Sequence, residues 1–95
     1  MQTRPTDEVF RALADRRRRL VVRYLMNEAD GVASYREVTD ALASEDAQSA
    51  AIPLTHTILP ILKEAEIVDY DPERERIRYR PNELVEDALR VVDGR

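Results

Sequence analysis

The sequence predicts a mainly α-helical domain with one β-hairpin. Apolar residues recur at the three- and four-residue spacing of amphipathic helices over most of the 95 residues. Over residues 67–80, IVDYDPERERIRYR, the pattern changes to two runs rich in Ile, Val and Tyr around an Asp-Pro turn. Asp at the first turn position and Pro at the second favour a type I turn, so residues 71–74 are expected to join two strands.

The second strand of this hairpin is expected to be amphipathic, because side chains alternate between the two faces of a strand. Ile77 and Tyr79 therefore face one way. Arg76, Arg78 and Arg80 face the other. This alternation predicts one face toward the core and one basic face toward solvent.

Capping residues mark the expected ends of the first helices. Thr6 is the predicted N-cap of the first helix, and Asp15 is that of a second helix over 16–28. Gly31, which tolerates the left-handed backbone, is expected to close the second helix. Residues 34–37, SYRE, match a capping box and predict the start of a third helix.

Two further amphipathic helices are expected, over 52–66 and 83–92. The fourth helix contains Pro60, which lacks the N–H that would bond the carbonyl of His56. On a helical wheel the apolar stripe lies opposite Pro60, so the proline is expected on the exposed side. It either bends the helix to follow the core or breaks the helix into two pieces. The expected buried stripe is Leu54, Ile58, Ile61, Leu62 and Ala65.

The composition is that of an acidic, lysine-poor chain. Acids outnumber bases by 19 to 15, which gives a net charge of −4, and Lys63 is the only lysine. Carboxylates keep a surface hydrated, so this composition predicts a salt-rich cytoplasm. The chain has no signal-like N-terminus and no apolar run that could span a bilayer, so we expect a cytoplasmic protein without membrane contact.

No catalytic constellation is visible in the sequence. There is no cysteine, no glycine-rich phosphate loop and no Ser/His/Asp arrangement in a recognisable context. The single histidine, His56, makes a metal site within one chain improbable. We therefore expect no enzymatic activity, no cofactor and no bound metal, and no small-molecule effector is evident.

Charge is unevenly distributed along the chain. Residues 1–26 carry a net charge of +4, residues 27–73 a net charge of −9, and residues 74–95 a net charge of +1. The four arginines at 16–19 point about 100° apart on a helix, so they cannot all meet one surface. We expect them to form a solvated, partly salt-bridged first turn, with Asp15 compensating their charge.

The predicted order of four helices, a hairpin and a last helix is the plan of a winged helix-turn-helix with an added C-terminal helix. The stretch DEVFRALADRRRRLVVRYL resembles the opening of ArsR-like winged-helix transcription regulators. The stretch LTHTILPILKEAEIVDYDPERERIRY is similar to the recognition helix and wing of small haloarchaeal winged-helix DNA-binding proteins. The resemblance implies one domain over 1–95, with a core fold at 6–80 and a C-terminal dimerisation helix at 82–93. It does not extend to metal sensing, which depends on cysteine clusters that this chain lacks.

The resemblance also implies a homodimeric regulator that binds double-stranded DNA. The fourth helix would enter a major groove, with the bend at Pro60 presenting residues 49–56, and the wing would contact the adjacent backbone or minor groove. The residues expected to contact DNA are Ser49, Thr55, His56, Thr57, Lys63, Arg74, Arg76 and Arg78. The residues expected to form the dimer contact are Val9, Phe10, Leu13, Leu84, Val85, Leu89 and Val92. About half of them are expected to lie in the core of the single chain instead.

A competing hypothesis is a protein–protein interaction module that keeps the winged-helix fold but does not bind DNA. The acidic middle segment and the absence of arginine from the fourth helix favour it. The wing arginines would then form a solvated strand face, partly neutralised by Glu73 and Glu75. The polar residues of the fourth helix would likewise be an ordinary solvent-facing surface.

Overall fold

The computed structural model of the protein describes residues 5–45 and 54–93. These residues form a mainly helical chain with a small three-stranded antiparallel sheet, which confirms the predicted mainly helical fold with a hairpin. In chain order the elements are α1 (Pro5–Ala12), α2 (Arg16–Met26), β1 (Val32–Ser34), α3 (Tyr35–Glu45), a π-helical turn (Leu54–Ile58), α4 (Leu59–Glu64), β2 (Val68–Asp71), β3 (Arg76–Tyr79) and α5 (Glu83–Asp93).

Two of the predicted helix starts are confirmed by their hydrogen bonds. The Asp15 carboxylate accepts the backbone N–H of Arg17 at 2.8 Å and so caps α2. The capping box before α3 is reciprocal. Ser34 Oγ accepts the N–H of Glu37 at 3.0 Å, and Glu37 Oε1 accepts the N–H of Ser34 at 3.1 Å. These local bonds fix where two helices begin.

Two other predicted helix ends were wrong. Helix α1 begins at Pro5, so Thr6 lies inside the helix rather than at its N-cap. Proline suits a first helical turn, where its missing N–H is not needed. Helix α2 ends at Met26, before Gly31. Gly31 does adopt a left-handed backbone, with φ of 69°, but it uses this conformation to lead the chain into β1.

The sheet has the strand order β1-β3-β2, with β3 at its centre. The predicted alternation on β3 is confirmed, because Ile77 and Tyr79 are buried while Arg76 and Arg78 are exposed. Strand β1 was not predicted, since three residues are too few to show an alternating pattern. It pairs with β3 in the register Val32 to Arg78 and Ser34 to Arg76, and thereby closes the second edge of β3.

The core draws apolar side chains from all the described helices and strands. Helix α1 packs against α5, α2 against α3 and β3, and α4 against β2. The largest fully buried side chains are Leu13, Leu25, Leu54, Leu62, Ile67, Ile77, Val21, Val22, Val38, Val68 and Val85.

The arginine run at the start of α2 holds the end of α1. Arg17 forms the expected ion pair with Asp15, with Nη2 and Oδ2 2.9 Å apart. Arg18 Nε donates to the carbonyl of Ala12 at 2.5 Å, and Arg19 Nη1 donates to the carbonyl of Leu13 at 2.9 Å. Carbonyls at a helix C-terminus lack intrahelical donors, so these guanidinium groups satisfy them. The role found for Arg18 and Arg19 was not anticipated from the sequence.

Asp15 is expected to make the stability of the protein pH-dependent. The side-chain hydrogen bond from Arg17 is the main cause that lowers the pKa of Asp15 from 3.8 to about 2. A depressed pKa contributes stability that is fully present above about pH 4 and is lost as pH falls toward 2. Asp15→Ala should lower the free energy of unfolding by about 1 kcal/mol at pH 7, and the deficit should shrink below pH 4.

Urea unfolding of both proteins at pH 7, 4 and 2.5 measures this effect. Asp15→Asn serves as the matched control, because Asn keeps an N-cap acceptor but carries no charge. Its deficit should be smaller than that of Asp15→Ala. A deficit of Asp15→Ala that stays constant from pH 7 to 2.5 would contradict the assigned ionic contribution.

Candidate functional site

The hairpin of residues 68–79, called the wing below after the element expected at this place, carries exposed arginines on its outward face. Arg76 and Arg78 alternate with buried residues on β3, and Arg74 lies in the turn. The turn is held by Asp71, whose Oδ1 accepts the N–H groups of Glu73 at 3.1 Å and Arg74 at 3.3 Å. The local fold therefore displays three guanidinium groups on one short ribbon.

Carboxylates stand opposite these arginines in the neighbouring strand. The register of β2 and β3 pairs Asp69 with Arg78 and Asp71 with Arg76, so each acid shares a face with an arginine. Within the described part of the chain, no carboxylate lies within 4.0 Å of the Arg76 or Arg78 guanidinium. The acids lower the net charge of the wing without closing ion pairs on its two central arginines.

The exposed pairs that do form on the wing are long. Arg74 Nε lies 3.9 Å from Asp71 Oδ2, and Arg80 Nε lies 3.8 Å from Asp69 Oδ2. Exposed pairs at such distances contribute little stability and are easily exchanged for another anion. A shallow cavity of about 310 Å³ opens on this face between Val32 and the wing. Three arginines line it together with Asp69 and Asp71, so its lining is of mixed charge.

The fourth helical segment is not a uniform α-helix. A π-helical turn covers Leu54–Ile58, and α4 follows at Leu59 with Pro60 in its first turn. Pro60 is exposed, as predicted. In a regular α-helix its ring would collide with the carbonyl four residues earlier, and the wider π turn relieves that collision. The helix expected over 52–66 is thus a π turn followed by a short α-helix that ends at Glu64, which matches the alternative of a break into two pieces.

The π turn also shifts which apolar side chains are buried. Ile61, predicted in the buried stripe, is 38% exposed, whereas Leu59, which was not predicted there, is buried. A π turn takes up one more residue than an α turn, so every later side chain is rotated relative to a regular wheel. Leu54, Ile58 and Leu62 are buried as expected.

The helical residues expected to contact DNA differ in how the structure describes them. His56, Thr57 and Lys63 are exposed on the π turn and α4. Of Thr55 only the backbone, within the π turn, is described. Ser49 lies outside the described residues. Helix α4 packs against β2, and β2 pairs with the arginine-bearing strand β3.

The residues expected at a dimer contact divide into two groups. Val9, Leu13, Val85 and Leu89 are buried in the core of the single chain. An apolar patch on the packed helices α1 and α5, hereafter the α1–α5 patch, remains exposed. It consists of Phe10, Leu84, Val91 and Val92.

Sequence reasoning missed Val91, which is the most exposed member of the patch at 69%. A usable signal was present, because Val91 follows Leu84 by seven residues and so lies on the same helical face. The apolar stripe of α5 is therefore wider than the part that its own chain covers.

The pKa shifts near the wing have structural causes. Burial raises the pKa of Tyr70 and of Tyr79. The pKa of Glu37 is lowered, first by the backbone hydrogen bond from Ser34 and further by the nearby charge of Arg76. In residues 5–45 and 54–93, no three His, Asp or Glu side chains are grouped so that they could hold a metal ion.

Comparisons with known proteins place the chain in one family. Across the described helices, none is long and apolar enough to cross a bilayer. No curated protein and no solved structure matches the chain. One family model matches residues 10–78, from within α1 to within β3, which is more than half of the chain. The chain therefore belongs to the family described as a domain of unknown function (DUF7344).

Proposed function

We propose that the protein is a DNA-binding transcriptional regulator with a winged helix-turn-helix fold. In this assignment α3, the π turn and α4 form the helix-turn-helix, and residues 68–79 form the wing. The order of the elements and the pairing of β1 with the inner strand of the hairpin support it. The matched family carries no assigned function, so the proposal depends on the geometry of the surface.

The observation that carries the proposal is the juxtaposition of an exposed polar helix face with an arginine-bearing ribbon. His56 and Thr57 are exposed on the π turn, and Lys63 is exposed on α4, which packs against β2. Arg76 and Arg78 are exposed on β3, the strand that pairs with β2. An α-helix fits the major groove, while basic side chains on a hairpin suit the adjacent phosphates or the minor groove. The two elements would thus contact the same duplex.

Each exposed residue has a chemical role in this arrangement. Thr57 and His56 offer hydrogen-bonding groups to base edges, and Lys63 offers a phosphate contact. Arg76 and Arg78 would hold phosphates, while Arg74 and Arg80 would exchange their long pairs with Asp71 and Asp69 for a stronger anion. These acids would also limit nonspecific attraction to DNA, which is the salt-dependent part of affinity.

Removing the two central arginines of the wing tests the proposal. Arg76→Ala/Arg78→Ala should bind duplex DNA about tenfold or more weakly in molar salt, because two charge-assisted phosphate contacts are lost. The slope of log affinity against log salt should become shallower by about one to two units. Fluorescence anisotropy with labelled duplexes selected from genomic fragments measures both quantities.

A charge-matched variant controls for the loss of positive charge. Arg11→Ala/Arg90→Ala removes the same charge from α1 and α5, which carry none of the proposed DNA contacts. Its affinity should stay within about twofold of the wild type, since distant charges are screened in concentrated salt. Equal affinity of the wing variant and the wild type would remove the wing from the mechanism.

A second candidate function is supported by the register of the wing. Asp69 and Asp71 stand directly across from Arg78 and Arg76, which gives the ribbon a mixed rather than a purely basic face. Such a face is equally suited to a protein partner with complementary charges, without any DNA binding. Failure of the wild type to retain any genomic duplex, at low or high salt, would favour this interaction module.

We also propose that the regulator is a homodimer formed through the α1–α5 patch. Phe10 and Leu84 are about two-fifths exposed, and Val91 more so, on helices that pack against each other. Such a patch on paired helices is self-complementary across a two-fold axis and would be covered by the same patch of a second copy. A dimer would present two wings to two half-sites.

A further inference from the structure

Two residues other than glycine have a left-handed backbone within residues 5–45 and 54–93, and both are glutamates. Glu66 has a φ of 61° and lies between α4 and β2, and Glu75 has a φ of 52° and lies just before β3. The Cβ atom makes this conformation unfavourable, so it persists only where surrounding contacts hold it. The contacts of each residue therefore indicate what its backbone achieves.

The backbone of Glu66 ends a helix. The Glu66 N–H donates to the carbonyl of Lys63 at 2.9 Å, and the Ile67 N–H donates to the carbonyl of Leu62 at 2.9 Å. These are the two hydrogen bonds of a Schellman motif, which requires a left-handed residue just past the helix. The conformation of Glu66 is therefore accounted for by the end of α4.

The backbone of Glu75 instead connects the wing to α3. Its carbonyl accepts the backbone N–H of Tyr35 at 2.7 Å. Tyr35 is the first residue of α3, where an N–H group has no partner within its own helix. Ser34 and Arg76, the neighbours of these two residues, are paired in the register of β1 and β3. The bond thus extends the pairing of the two strands to the first residue of the helix.

The side chain of Tyr35 adds a second link between α3 and the wing. The ring centroids of Tyr35 and Tyr70 are 6.4 Å apart, with the ring planes tilted by 47°. This distance lies in the favourable range for an aromatic pair. Tyr70 belongs to β2, whereas Glu75 directly precedes β3. The first residue of α3 therefore contacts the wing beside both of its strands.

We propose that Glu75 is a positioning residue, whose left-handed backbone holds the arginines of the wing in a fixed place relative to α3. This inference rests on the proposed function and names a residue through which the wing and the helix-turn-helix contact one duplex together. Glu75 lies between Arg74 and Arg76, so its backbone sets the direction of the chain from one arginine to the next. A wing that is already in place loses less freedom on binding, which strengthens affinity.

Three substitutions that remove the same charge separate the backbone of Glu75 from its carboxylate. Gly and Asn tolerate the left-handed conformation, whereas the β-branched Val does not. If the wing of Glu75→Val is correctly placed in about a tenth to a fifth of the molecules, its affinity should be about fivefold to tenfold weaker than that of Glu75→Gly or Glu75→Asn. Fluorescence anisotropy in molar salt, with duplexes that the wild type selects from genomic fragments, measures the affinities. Circular dichroism establishes that each variant is folded.

The salt dependence of binding distinguishes a displaced wing from a lost phosphate contact. A displaced wing makes the same phosphate contacts once it is bound, so the slope of log affinity against log salt should be equal in the three variants. Arg76→Ala/Arg78→Ala, by contrast, should have a shallower slope, because the contacts themselves are removed.

The other left-handed glutamate provides a matched control for destabilisation. Glu66→Val places the same strain on a residue outside the wing and should lower the free energy of unfolding relative to Glu66→Gly. Its affinity for DNA should nevertheless stay within about twofold of that of Glu66→Gly, since the fraction of correctly placed wings is unchanged.

A proline at position 35 removes the donor of the same hydrogen bond. Proline suits the first residue of a helix, and Ser34 before it belongs to an extended strand, so α3 is expected to form. Tyr35→Ala is the matched variant, because it lacks the ring but keeps the N–H. Tyr35→Pro should bind about fivefold more weakly than Tyr35→Ala. This comparison applies equally if Glu75→Val does not fold.

The outcomes separate this inference from the proposed function. Equal affinities of Glu75→Val, Glu75→Gly and Glu75→Asn, or of Tyr35→Pro and Tyr35→Ala, would overturn the inference and leave the proposed regulator standing. A shallower salt slope in Glu75→Val would indicate a lost phosphate contact, and an equal loss of affinity in Glu66→Val would indicate general destabilisation. Either result would overturn the inference as well. A wild type that retains no genomic duplex would remove the proposed function, and with it the role of Glu75 in DNA binding.

Discussion

Replacing Leu62 by alanine is expected to lower the free energy of unfolding by about 2–5 kcal/mol, whereas Ile61→Ala should cost less than about 1 kcal/mol. Leu62 has no exposed surface, and Ile61 is 38% exposed. Truncating a fully buried leucine removes apolar contacts and leaves a cavity. Since a domain of this size is typically stable by only about 5–15 kcal/mol, the Leu62 variant should lie close to its unfolding threshold.

Urea unfolding of the wild type and the two variants, at one salt concentration, checks this contrast. A regular α-helix places both residues in its buried stripe and predicts comparable losses. The π turn rotates Ile61 outward and keeps Leu62 inward, and only that geometry separates the two values. Comparable losses of more than 2 kcal/mol in both variants would therefore contradict the shifted helix phase.

Introducing a charge at Val91 is expected to convert the proposed dimer into monomers. Val91 is 69% exposed, so Val91→Asp should leave the fold of the single chain intact. In a symmetric dimer the two new carboxylates would be placed at an apolar seam, where burying unpaired charge is strongly unfavourable. Sedimentation velocity should show the mass fall by half at micromolar concentration.

Loss of the dimer should also weaken DNA binding. A dimer with two linked DNA-binding surfaces gains avidity. The affinity of Val91→Asp for a duplex with two half-sites should therefore fall by about 100-fold. Ala43→Asp adds the same charge at an exposed position of α3 and is the control, with unchanged mass expected. A Val91→Asp protein that sediments like the wild type would exclude the α1–α5 patch as the contact.

The features that sequence analysis predicted correctly depend on local chemistry. The cap at Asp15 and the capping box at residues 34–37 each involve groups within three residues, and the alternation on β3 is visible over four. The prediction that Ile61 is buried was wrong, and the burial of Leu59 was not predicted, because both depend on the π turn. A helical wheel assumes one constant angle per residue and cannot register that insertion.

The candidate site was predictable in part. The exposure of Arg76 and Arg78 followed from the strand period, but the opposing acids were not recognised. A signal existed, since the turn at residues 72–75 fixes the register and places Asp69 and Asp71 across from these arginines. Exposure in the α1–α5 patch was not predictable residue by residue, because it depends on how the two helices pack on each other.

Arg18 and Arg19 bind the carbonyls at the end of α1, while Arg17 and Arg18 also face the Asp15 carboxylate. The corner between α1 and α2 thus combines hydrogen bonds to peptide carbonyls with charge pairs. Concentrated salt should weaken the charge pairs more than the hydrogen bonds. The direction of the first helix is therefore expected to persist in brine even where the pairs around Asp15 are screened.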